Sequence, residues 1–297
     1  MKQRNIYLKT VPVAEAVALA MAALDRETLV RAETVPSHLA CGRVTSAPVY
    51  AGCSSPTSHS APTATSAARA EPASAARAGG PGRPATGGQC VAVNTGHPLP
   101  EGMDGVLMIE KVVREDGESI EIETPVFPMQ HVRRIGEDIV ATELLLPQNR
   151  FLSPYDVGGL LSAGIWEVPV WERLRMDFIP TGDEVLDFTL RPSPKPGQVI
   201  ESNSQVFAGL AAAQNCLFTR VDPVPDNEEA LTAAVRAAVD GPAHVVVVGA
   251  GSSAGSKDFS RSIIAGLGQV LVHGIDVMPG KPSILGVVKG KLVVGAP

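Results

Sequence analysis

The sequence predicts a multidomain α/β protein, on three observations. From Arg173 onward, short apolar strands alternate with amphipathic helices, the pattern of parallel strands covered by helices. Between Gln89 and Thr124 the apolar runs are short and broken by turn residues, as in a small β-rich domain. Ahead of that tract, residues 61–88 hold 10 Ala, 5 Gly and 4 Pro in 28 positions. So little apolar bulk predicts disorder or irregular coil across much of the segment.

Each element has a local reason. PVAEAVALAMAAL, residues 12–24, puts Val13, Val17, Ala20, Met21 and Leu24 on one helical stripe, with Pro12 and Glu15 suited to the first turn. In LSPYDVGGLLSAG, Ser153 caps a helix, Pro154 takes its first position, Asp156 its third, and Gly164 ends it. VRRIGEDIVATELLLPQNRFL reads as short extended pieces. CVAVNTG, DGVLMIEKVV and SIEIET are candidate strands, with Gly117 in a hairpin turn between the last two. Past Arg173, LRMDFI, CLFTRV, HVVVV and VLVHGIDV are strands. ESNSQVFAGLAAAQN, DNEEALTAAVRAAVD and SRSIIAGLG are helices, the second with a cap and an acidic first turn. SILGVVKGKLVVG reads as two strands joined at Lys289 and Gly290.

Composition excludes some functions. The chain has 297 residues, enough to bury a sizeable core. A net charge of −6 argues against a non-specific nucleic-acid binder, though a local basic pocket for phosphate remains compatible with it. No run of 18 apolar residues is free of charges and turn residues, so no membrane span is expected. Cys41, Cys53, Cys90 and Cys216 are scattered without metal-ligand pairs or a disulfide pattern, so a reducing cytoplasm is the expected location.

Chemistry is expected beyond the carboxyl ends of the parallel strands, where loop amides and helix N-termini meet anions. Three loops follow strand candidates there. PTGDE presents Thr181, Asp183 and Glu184; adjacent carboxylates suit a hard cation such as Mg²⁺, the alternative being that Asp183 caps a turn and Glu184 faces solvent. GAGSSAGSKDF combines Gly249, Gly251 and Gly255 with Ser252 and Ser253, so that uncrowded amides and hydroxyls surround an oxyanion. Lys257 adds a cation and Asp258 a metal ligand or base; a flexible Gly/Ser turn is the alternative. The loop fits neither GxxxxGK[ST] nor GxGxxG. MPGKP holds Lys281 between rigid neighbours as a point charge for an oxyanion, or as a solvated turn lysine. His131, Arg133 and Arg134 form a basic turn. No HExxH spacing supports zinc and no GxSxG elbow surrounds a serine, so anion binding fits better than acyl transfer.

CGRVTSAPVY, NTGHPLPEGMDGVLMIE, VRRIGEDI, LSPYDVGGLLSAGIWEVPVW, IPTGDEVL, PGQVIESNS, VDPVPDNEEAL, GSSAGSKDF and MPGKP occur in this order. Together they resemble the MoeA-type molybdopterin molybdenumtransferase family. The resemblance implies an elongated helical domain (1–45 plus 127–171) interrupted by a β-rich domain (46–126, disrupted at 61–88). A three-layer molybdopterin-binding α/β domain (172–297) follows. It implies insertion of molybdate into adenylylated molybdopterin with Mg²⁺-dependent release of AMP, in a homodimer, with a molybdopterin-adenylylating enzyme upstream. Asp183, Glu184 and Asp258 take catalytic roles in that reading, Glu184 and Asp258 as metal ligands. Thr95, Gly96, Thr181, Gly251, Ser252, Ser253, Gly255, Lys257 and Lys281 contact the pterin substrate.

Two departures from the family pattern follow. Where the family carries a serine-alanine-methionine-aspartate-glycine run, this chain reads Ser60, Ala61, Pro62, Thr63, Ala64, without the carboxylate of the cleft. The chain also stops at VVGAP, ahead of the family's pterin loop and small C-terminal β domain, so the final parallel strand is expected to expose an edge or lack its covering helix. The alternative function is a catalytically impaired molybdopterin-binding or carrier protein.

Overall fold

The computed structural model describes residues 10–58, 60, 65–68, 90–101, 103–116, 120–249 and 259–297. The chain divides into two compact units, one of Thr34–Val170 and one of Met1–Glu33 with Trp171–Pro297.

In the Thr34–Val170 unit, strands β1 (Ala32–Pro36) and β9 (Glu167–Trp171) pair, and β2 (Val49–Tyr50) runs antiparallel to β8 (Leu144–Leu146). Beside them lies helix α3 (Pro154–Ser162), whose start follows the sequence reading. The Ser153 hydroxyl accepts from the Asp156 amide at 3.3 Å, and the Asp156 carboxylate accepts from the Ser153 amide at 2.7 Å, a capping box. Leu152, Leu160, Val168 and Val170, all buried, close the core between these elements.

The β-rich part of this unit holds β3 (Thr65–Ala68), β4 (Cys90–Val93) and β5 (Gly105–Met108), in spatial order β4-β3-β5. A hairpin of β6 (Val112–Glu115) and β7 (Ile120–Ile122) follows, and the predicted turn residue Gly117 lies outside the described residues. Disorder or irregular coil is expected across much of residues 61–88, and the four described residues of that segment are instead extended. Thr65–Ala68 is the central strand, antiparallel to both neighbours, with Ala67 opposite Val91 and Val106. A ladder is made by backbone groups, and bulky side chains from β4, β5 and the segment after β7 supply the core: Val93, Val106 and Val132 are buried together.

The α/β unit is built on a six-stranded sheet. Its strands are β10 (Arg175–Pro180), β13 (Leu217–Arg220), β14 (Val245–Gly249), β15 (Gln269–His273), β16 (Ile284–Val288) and β17 (Lys291–Ala296), in the order β13-β10-β14-β17-β16-β15. The first four in that order are parallel, whereas β16 and β15 are antiparallel additions. β16 and β17 form a hairpin through Lys289 and Gly290, both at positive φ, the backbone that a two-residue turn between right-twisted strands demands. β17 is not the exposed edge expected from the sequence: it pairs on both sides, and β13 and β15 are the edges.

Among the described residues, four helices dress this sheet: α1 (Val13–Ala23), α4 (Asn203–Ala213), α5 (Glu228–Asp240) and α6 (Phe259–Leu267), with α2 (Arg26–Leu29) a single turn. Asn227 caps α5 by accepting from the Ala230 amide at 2.7 Å. The predicted stripe on α1 is corrected in part. Its Ala20 is buried, but beside Ala16, while Val13, Val17 and Met21 are exposed. Small residues let the helix approach β15 and β16, against which it packs. Val246, Val247 and Val248 are buried in succession, as a parallel strand covered on both faces requires. With Ile179, Leu231, Val235, Ile263, Ile264 and Val293 they fix the level of the sheet's carboxyl edge.

Candidate functional site

Strand directions decide where the three predicted loops lie. β10 and β14 are adjacent and parallel, so the loops after Pro180 and Gly249 leave the same edge side by side. Because β15 is antiparallel to β16 and β16 to β17, β15 points the same way as β14, and its loop to β16 leaves that edge too. Three strand spacings separate β14 from β15, about 14 Å.

The first loop is clasped to the end of β14. The Gly249 carbonyl accepts from both the Thr181 amide at 3.0 Å and the Thr181 hydroxyl at 2.7 Å, and Thr181 is buried. On the other side, the Val224 amide donates to the Pro180 carbonyl at 2.8 Å. Gly182 sits at φ +129°, where a Cβ would meet Val185 and the Glu184 carboxylate at 2.8 and 3.0 Å. Only glycine lets Glu184 fold back over this turn. Asp183 is exposed and accepts from the Asp226 amide at 3.1 Å. Glu184 is half-buried, and its carboxylate has no hydrogen bond or ion pair with another described residue.

Gly249 ends β14 and Phe259 opens α6, so the second loop bridges a strand end to a helix start. Its predicted ligand residues, Gly251, Ser252, Ser253, Gly255, Lys257 and Asp258, lie outside the described residues. The backbone around Lys281 is pinned: its carbonyl accepts from the Ile275 amide at 2.9 Å, and the Ser283 hydroxyl donates to the Gly280 carbonyl at 2.7 Å. Lys281 itself is exposed. Thr95 and Gly96 belong to the other unit, in the exposed turn after β4, with Gly96 at φ +81° and open space around its α-carbon. The basic turn is internally neutralised: Arg133 ion-pairs with Asp138, with Glu137 at 3.9 Å.

Residue-type reasoning alone missed the residues that hold the first loop, Val224, Asp226 and the Gly249 carbonyl. The only signal for Val224 and Asp226 was the family-like VDPVPD run, and the Gly249 carbonyl gave none, because a backbone acceptor has no side-chain signature. It also missed Arg220, whose neighbours are described below.

Two family models match the chain: the MoeA N-terminal region (domain I and II) over residues 11–164, and a probable molybdopterin binding domain over residues 177–297. A molybdopterin molybdenumtransferase from Haemophilus influenzae is 33% identical over 208 residues, covering 70% of this chain and 50% of that protein. A putative molybdopterin biosynthesis protein from Methanocaldococcus jannaschii is 31% identical over 214 residues, covering 70% and 53%. The chain thus spans about half the length of these curated relatives. The crystal structure of a molybdopterin biosynthesis MoeA protein from Pyrococcus horikoshii superposes with a TM-score of 0.74 at 25% identity, covering 97% of this chain and 74% of that one. With both units matched in order, this chain belongs to the MoeA-type molybdopterin molybdenumtransferase family of molybdenum cofactor biosynthesis.

Proposed function

We propose that the protein is a molybdopterin molybdenumtransferase, inserting molybdate into adenylylated molybdopterin with Mg²⁺-dependent release of AMP. The observation that carries this reading is the double donation from Thr181 to the Gly249 carbonyl, which fastens the carboxylate loop to the root of the glycine- and serine-rich loop. In this reading an anionic ligand there is met by loop amides, by Lys257 as the resemblance assigns it, and, along the same edge, by Lys281. The donor set fits Mg²⁺, which is usually bound through one or two carboxylates together with substrate phosphates rather than by an all-protein cage. Glu184 and Asp258 would hold the ion, which supplies charge neutralisation at the phosphate bridge. Asp183 stiffens the loop through Asp226, and the clasped backbone positions the substrate with little reorganisation. Thr95 and Gly96, a homodimer and an upstream adenylylating enzyme belong to the same reading.

Incubating the chain with adenylylated molybdopterin, molybdate and Mg²⁺ tests it. AMP release and protein-dependent molybdenum incorporation are expected together. Tight binding of the substrate without either product overturns the transferase reading in favour of a binding or carrier protein. The Ser60–Ala64 run, which lacks the family's carboxylate, is the observation that favours this second reading.

A further inference from the structure

The Thr181–Glu184 loop is clasped at its start, but its far end runs into β11 (Val185–Leu186), which pairs in parallel with β12 (Val199–Ile200). Two hydrogen bonds hold that end: the Val199 amide donates to the Glu184 carbonyl and the Glu201 amide to the Leu186 carbonyl, each at 2.9 Å. A ladder this short does not hold itself in water. The residues that follow the two strands, Asp187 and Glu201, converge on one cation. Arg220, the last residue of β13, donates from Nε to Glu201 and from Nη2 to Asp187, both at 3.0 Å. Its guanidinium carbon lies 4.9 Å over the Phe188 ring. The Glu201 side chain is 3% exposed, Arg220 14% and Asp187 19%, so this is not a solvated surface pair. Glu201 also accepts from the Ser204 amide at 2.8 Å and the Ser204 hydroxyl at 2.5 Å, which anchors it to the start of α4.

We propose that Arg220 is a positioning residue for the candidate site: by gripping Asp187 and Glu201 it closes the β11–β12 pair and so fixes the backbone that carries Glu184. That such fixing matters to a pterin ligand rests on the function proposed above. A planar fork is what two divergent carboxylates require; a lysine offers the charge without that geometry. Removing the cation leaves Glu201 buried without a counter-charge, held only by Ser204, which strains this junction rather than the distant sheet core.

Amide hydrogen exchange on the full chain, compared with binding of adenylylated molybdopterin, tests the proposal. In Arg220→Gln, exchange at Val199 and Glu201 is expected to quicken about tenfold while Val246, Val247 and Val293 keep their protection. Ligand affinity should fall about tenfold. Arg220→Lys should recover overall stability more fully than either local readout. Unchanged exchange at Val199 and Glu201 overturns the proposal, as does a uniform loss of protection across the sheet. If Arg220→Gln does not fold, Asp187→Asn, which removes one arm without stranding the buried Glu201, decides by the same local exchange. If the wild-type chain does not bind the pterin probe, the functional reading fails, while the exchange result still decides whether Arg220 holds the loop. Local loosening without any loss of affinity in a chain that binds sinks the positioning role alone.

Discussion

The six-stranded sheet of the α/β unit and the three-stranded sheet of the Thr34–Val170 unit are specified in different ways. In the first, β14 is apolar on both faces and its neighbours on α5 and α6 form one continuous cluster reaching from Ile179 to Val293. In the second, the central strand is Thr-Ser-Ala-Ala, and the burial comes from Val93, Val106 and Val132 beside it. One sheet is held by bulk, and the other is held by its ladder around a small satellite core. The first should therefore answer most to lost volume, and the second to lost backbone hydrogen bonds.

The largest expected effect follows from bulk. Ile264 is 1% exposed and its Cγ2 fills the space above Gly286, where even a Cβ would come within 2.3 Å. Ile264→Ala should cost about 2–5 kcal/mol in urea unfolding, with protection lost in the α/β unit. A loss well below that range would mean that this core collapses around the gap, and the contrast with the ladder-held sheet would weaken. Next comes Ala67→Pro. Proline removes the amide of a central-strand residue facing Val91 and Val106, with an expected cost of about 1–3 kcal/mol, read as lost exchange protection across β4 and β5. No change there would mean that Thr65–Ala68 contributes nothing to the sheet.

Thr181→Val probes the place where bulk and hydrogen bonding meet. The substitution keeps the branched shape and the amide bond to Gly249 but deletes the 2.7 Å hydroxyl bond. About 1 kcal/mol of stability should be lost. Affinity for adenylylated molybdopterin should fall, and Thr181→Ser should restore it. Equal affinity in the valine variant would show that the amide alone sets the loop.

The same difference explains what could be read in advance. HVVVV, the Asn227 cap and the Ser153-Pro154-Asp156 start each announce their element, because burial, capping and fixed φ act through side-chain type. Thr65–Ala68 could not be read, since its contribution is a pair of backbone ladders that many sequences could supply. The α1 stripe misled in part for a related reason: it included the buried Ala20 but ranked Val13 and Val17 above Ala16, whereas close approach to a sheet selects the small residues. At the candidate site, Thr181, Asp183 and Glu184 stood out by type. Their supports, the Gly249 carbonyl and the Arg220 fork, depend on strand order, which brings residues 68 and 33 positions apart into contact.

Acid should separate the two units by the smallest of these effects. In the α/β unit His244 is buried; it accepts from the Arg175 amide at 2.9 Å and stands 3.5 Å from the Glu172 carboxylate. Burial pushes its pKa below the ordinary histidine value despite the attraction of Glu172, with Lys291 and Arg175 adding to the depression. Its neutral form therefore favours the folded state. That contribution is present above about pH 6.5 and is lost as pH falls through the lower folded value. In the other unit, burial would raise Asp156, but bonds from Ser153 and the Arg150 guanidinium outweigh it and hold the carboxyl below its ordinary value. Its contribution is present above the ordinary aspartate value and is lost as pH falls through the lower folded value. Exchange protection followed from pH 7 downward should thus weaken first in the α/β unit, with the α3 region following at more acid pH. His244→Gln should flatten the first phase without moving the second. If both units lose protection over one window in the wild type, neither residue governs the acid response of its unit.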